Sequence, residues 1–160
     1  MAESEKKNAC KALCYPVNLF KSLSPPRPTQ DSIMFWYIPL AGGASYTAFS
    51  VHIFNPNCLA SLFPETKHIV ANALLFNAHL GTGLYLYHRK HLPSAVVCRS
   101  MFTIYGTVLF NFGSILLWAL TKVVLPENSW LRGIFAVSSS LCMIVIGKEY
   151  LDYVDRKTIA

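Results

Sequence analysis

With 160 residues, 53% of them hydrophobic and 14% charged, the chain fits one compact unit and is too apolar for an ordinary soluble domain. Its net charge of +6 gathers beside apolar stretches, which points to a basic face meeting anionic lipid headgroups and away from nucleic-acid binding. Five cysteines, Cys10, Cys14, Cys58, Cys98 and Cys142, are too scattered for a disulfide framework and are expected to be reduced.

Four stretches, residues 32–64, 68–88, 100–121 and 133–147, contain no Asp, Glu, Lys or Arg. Each reaches or approaches the roughly 20 residues that a helix needs to cross about 30 Å of hydrocarbon. They predict an all-α fold, a four-helix transmembrane bundle with spans at about 33–54, 69–87, 101–121 and 130–147, an arm at 1–32 and a tail at 148–160.

The arm begins with Glu3, Glu5, Lys6, Lys7 and Lys11 ahead of any apolar run, so it does not read as a signal peptide. Leu13, Val17, Phe20 and Leu23 recur near helical spacing and predict a short interfacial helix, which Pro16 would kink or shorten. Ser24-Pro25-Pro26-Arg27-Pro28 then forms a stiff spacer. Cys10 and Cys14, four apart beside lysines, are candidate lipidation sites.

The first span opens on Phe35, Trp36 and Tyr37, rings suited to the water–hydrocarbon boundary, and ends at Asn55-Pro56-Asn57. Its run of small residues, Ala41, Gly42, Gly43, Ala44, Ser45 and Ala48, allows helices to approach closely. Because the run covers more than one helix face, one side is expected to serve intrachain packing and another a partner. The second span ends in the basic cluster His88-Arg89-Lys90-His91. Asn72 and His79 lie seven apart on one of its faces and should turn toward another helix, with Asn111 of the third span the expected partner. Gly81 and Gly83, with Gly106 and Gly113 of the third span, are candidates for a groove that admits a phospholipid or sterol.

The fourth span holds only 15 uncharged residues between Arg132 and Lys148, so crossing requires both charges to snorkel outward. With four spans, Lys6, Lys7, Lys11, Lys21, Arg27, Arg89, Lys90, Arg99, Lys148, Arg156 and Lys157 share one side. Only Lys67, Lys122 and Arg132 face the other. The positive-inside rule then places both termini in the cytoplasm.

Chemistry finds no foothold in the predicted spans. No charged residue lies in their interiors, which removes the usual handle for proton-coupled transport. His52 and His79 differ in predicted depth by roughly 12 Å, too far for two axial haem ligands. The basic residues Arg89 and Lys90 oppose a metal site built from His88, His91, Glu149, Asp152 and Asp155. No Ser-His-acid order, phosphate loop or CxxC pair is present. The expectation is therefore a non-enzymatic subunit of a larger membrane complex, without cofactor or catalytic metal, partnered by other integral membrane proteins. The alternatives are a lipid-binding or lipid-transfer component and, third, an oligomeric channel or junction protein. Short outer loops without disulfides favour the endoplasmic reticulum, with the plasma membrane as the alternative.

Overall fold

The computed structural model describes residues 29–90, Leu92 and 96–159. The expected interfacial helix of the arm, Cys10 and Cys14 therefore lie outside the described residues. Among the described residues, 89% are helical and none is in a strand.

Thr29 opens the first helix by accepting the backbone N–H of Ser32 on its hydroxyl. A three-residue lead, Gln30–Ser32, runs into a π-helical segment, Ile33–Tyr37, and on into α1, Ile38–Phe54. Pro39 explains the π segment. It has no N–H for the Phe35 carbonyl and its ring crowds that group, so the ladder ahead of it widens and the Ile38 N–H reaches Ile33 O. Asn55 then leaves helical geometry, with φ −135° and ψ 80°, ahead of Pro56, whose ring disfavours helix at the preceding residue, and ends α1.

A short helix not expected from the sequence, α2 (Pro56–Leu62), starts on Pro56 and stops where Phe63 turns extended before Pro64. Next come α3 (Lys67–Tyr87), α4 (Val96–Val124) and α5 (Ser129–Ile159). Asn128 begins α5, its side-chain oxygen accepting the Trp130 N–H at 3.1 Å. Arg132 reaches back to the end of α4, donating to the carbonyls of Pro126 and Leu125 at 3.1 Å each. The charge near the start of the fourth helix is thereby drawn toward the connection. Beyond Gly147, α5 continues unbroken, so the expected tail is helical as far as Ile159.

Three helices, α3, α4 and α5, are long and apolar enough to cross a membrane. The first expected span, at the head of the chain, is divided between the π segment and the 17 residues of α1. α1 is the hub. It packs most extensively on α3, then on α5 and α4, whereas α4 and α5 barely touch. Pairings such as Phe35 with His88 and Ser45 with Asn77 run α1 and α3 antiparallel. Ser50 with Ala136 and Asn55 with Ser129 do the same for α1 and α5.

The buried centre combines Tyr46, Phe54, Ala78, Trp118 and Ala136. Tyr46 stacks on Phe110 of α4 at 5.5 Å and meets Trp118 at 4.8 Å between ring centroids. Most large aliphatic and aromatic side chains point outward instead, among them Ile69, Phe76, Phe102, Leu109, Leu116, Leu120 and Trp130. An apolar exterior around a partly polar interior is the distribution that suits lipid as solvent.

Candidate functional site

Gly42 and Gly81 set the geometry from which the outer surface of α1 follows. A Cβ built on Gly42 would stand 2.6 Å from Gly81 Cα and 3.1 Å from Asn77 O, and one built on Gly81 would meet Gly42 Cα and Ile38 O at the same distances. The backbones therefore cross in direct contact, a separation that only glycine at both positions permits. Asn77 fastens the crossing by donating to Ser45 Oγ at 2.7 Å and to Ala41 O at 3.4 Å.

On the adjoining side of α1, the fully buried Ser50 hydroxyl lies 3.1 Å from Ala136 O of α5 and 2.8 Å from Thr47 O. Gly43 faces Ile144 of α5. Among the described residues, α3 lies on one flank of α1, α5 on the other and α4 in front, and the back of α1 is left open.

Ala41, Ala44 and Ala48, spaced three and four apart, occupy that back and are exposed. The run of small residues is thus divided: Gly42 and Ser45 are used inside the chain, while three alanines face out. Val51 extends the same face and lines a groove of about 490 Å³ along α5, with Ser129, Trp130, Gly133, Ile134, Val137 and Ser138 forming the rest of its wall. Gly133 contributes no side chain to this wall, and a Cβ there would have no neighbour within 4 Å. Val51, one turn beyond Ala48, links the alanine track to this shallow and mostly apolar groove.

The four glycines expected to form one lipid groove occupy separate settings. Gly81 is closed against Gly42, Gly83 faces Thr107, Gly106 faces the end of the Leu86 side chain, and Gly113 is exposed with nothing within 4 Å of its Cβ position. Asn72 and Asn111 are not brought together. Asn72 is exposed on α3, whereas Asn111 is buried and donates to Thr107 O of its own helix at 2.9 Å. His79 bonds to Leu75 O at 2.8 Å and sets its ring edge-on to Phe112.

A cluster of charges that the sequence presents as loop and tail closes one end of the bundle. Arg89, just beyond α3, pairs with Asp152 and, at 3.1 Å, with Asp155 of α5, and it also donates to the Tyr85 hydroxyl. Its guanidinium lies 4.3 Å from the Tyr85 ring centroid. Lys148 completes the set by donating to Asp152 at 2.8 Å. Burial works against the Arg89 charge, but the hydrogen bonds and field of Asp152 outweigh it and hold the guanidinium pKa above its ordinary value. Charge signs alone suggested Arg89 as a repellent of cations. The spacing that hinted at its real role is Lys148, Asp152 and Asp155, which lie on one helical face.

Comparison with known proteins supplies no further assignment: no protein-family model, no curated protein and no solved structure matches the chain.

Proposed function

We propose that this chain is a non-enzymatic subunit of a larger integral membrane complex, docking on other membrane proteins through the back of α1. The observation that carries this reading is the exposure of Ala41, Ala44 and Ala48 after Gly42 and Ser45 have been used within the chain. Lipid offers no hydrophobic reward for helix association, so close backbone approach is the main source of affinity in a bilayer, and small residues permit it.

In this reading the chain crosses four times. The π segment and α1 together hold 5 and 17 residues, about 30 Å of helix, enough for one crossing. Both termini face the cytoplasm, on the charge asymmetry of the loops, and the basic side meets anionic lipid headgroups. The endoplasmic reticulum is the favoured membrane and the plasma membrane the alternative.

The test is gentle extraction of the native protein followed by native electrophoresis and mass spectrometry. Stoichiometric membrane partners that are lost from an Ala44→Phe variant of unchanged helicity support the proposal. A lone monomer from the native membrane overturns it.

A second reading, lipid binding, is favoured by one observation, the open groove beside Gly133. Its wall runs from Ser129 to Ser138, about 13 Å along α5, a length that accommodates part of an acyl chain. A phospholipid or sterol retained by the purified protein and displaced by Gly133→Phe supports this reading.

A further inference from the structure

The buried face of α4 consists of Thr103, Thr107, Asn111, Ser114 and Trp118 and of no aliphatic residue. These five are between 1% and 7% exposed, while Phe102, Leu109, Phe112, Leu116 and Leu120 of the same helix point outward. Their spacing of four, four, three and four places them in a single line about 22 Å long, most of the thickness of a hydrocarbon core. From α1, the buried Tyr46 joins them.

The line has more hydrogen-bonding capacity than the chain itself uses. Asn111 Nδ2 donates to Thr107 O and Ser114 Oγ to Phe110 O. Among the described residues, Thr103 Oγ1, Thr107 Oγ1, Asn111 Oδ1 and Trp118 Nε1 have no hydrogen-bond partner, and Tyr46 Oη has only the neighbouring Ser114, without good geometry. A buried polar atom without a partner costs more than an average hydrogen bond contributes, and four in one seam weigh heavily against a stable bundle.

We propose that the buried face of α4 is a hydrated seam, in which internal water molecules bridge these atoms from Thr103 to Trp118. The chemistry selects water. The group includes an acceptor alone (Asn111 Oδ1), a donor alone (Trp118 Nε1) and hydroxyls that do both, and water donates two bonds and accepts two. No fixed charge lies along the line to hold an ion.

Gly83 faces the line without a side chain: a Cβ there would meet Thr107 Oγ1 at 3.5 Å and Thr107 Cγ2 at 4.0 Å, ordinary contact distances, beside a hydroxyl that has no hydrogen-bond partner among the described residues. The Tyr46 and Trp118 rings, 4.8 Å apart, fill the line near its other end, so the seam holds water without forming an open pore.

The test is water-edited solid-state NMR on the full chain in lipid bilayers. Magnetisation transfer from water to Thr107 and to the Asn111 side-chain amide should be several-fold faster than to the outward Leu109 and Leu116. Equal, slow transfer to all four overturns the proposal. Gly83→Ala, whose methyl would stand at contact distance from Thr107 Oγ1, should slow transfer at Thr107 and leave Trp118 unchanged, and unaltered transfer at Thr107 counts against the proposal. Thr107→Val separates a wet seam from a dry one without NMR: a lowered melting temperature is expected if water bonds the hydroxyl, whereas a raised one counts against the proposal.

Discussion

Gly42 and Gly81 touch backbone to backbone, each occupying the space that a side chain on the other would need. Replacing either by alanine forces α1 and α3 apart, because the obstructing atoms are Cα and carbonyl groups and cannot rotate away. Gly42→Ala and Gly81→Ala are each expected to cost about 1–3 kcal/mol, read as a lower melting temperature in detergent. Gly106→Ala is the internal control. Its Cβ would meet only the mobile end of Leu86, so its effect should be smaller.

Ser50 joins α1 to α5 with no solvent exposure at all. Ser50→Ala should cost about 1 kcal/mol, the net worth of a typical buried hydrogen bond. Ser50→Val should cost more, since it adds volume to a closed contact. Chemical or thermal unfolding monitored by circular dichroism measures both.

Arg89 draws two carboxylates of α5 to the end of α3. Arg89→Met is expected to destabilise the fold by about 2 kcal/mol, by breaking a hydrogen-bonded charge pair that is mostly shielded from water. In a double-mutant cycle, Arg89→Met combined with Asp155→Asn should cost less than the sum of the two single changes. Strict additivity would mean that the pair contributes nothing.

Trp130 is exposed and lines the groove together with Gly133. Gly133→Phe should leave the melting temperature within about 1 kcal/mol equivalent of the parent, because nothing within 4 Å resists the new side chain and only glycine's low helix propensity is changed. A large loss of stability would show that the groove is shut in the membrane.

The approximate positions of the long helices were legible because uncharged runs of spanning length leave few alternatives in so short a chain. Their ends were less so. The charge-based limit at Gly147 concealed the continuation of α5, since Lys148 and Asp152 sustain a helix by pairing across one turn. Pro56 and Pro64 frame α2, but seven residues are too few to show a period. Pro39, read simply as part of an apolar run, is what widens the helix before it.

The small residues of the first span were visible, and so was the excess of small faces over a single interface. Which residues turned inward depended on the crossing point at Gly42 and Gly81, a tertiary fact. Asn72 and His79 do share the seven-residue spacing of one face, yet the spacing says nothing about how closely a neighbour follows, and Asn72 stays exposed. The polar line of α4 was announced only in part, by Asn111. Thr103, Thr107, Ser114 and Trp118 complete it, and the alternation of threes and fours was the available signal.

At 31 residues, α5 measures about 46 Å, some 15 Å longer than a typical hydrocarbon slab is thick. Arg89 pins its far stretch to α3, so these two helices cannot slide past one another to suit a thinner or thicker bilayer. Hydrophobic mismatch is then left to tilt of the assembly or to local thinning and thickening of the bilayer, because the Arg89 pairs resist axial slip between α3 and α5.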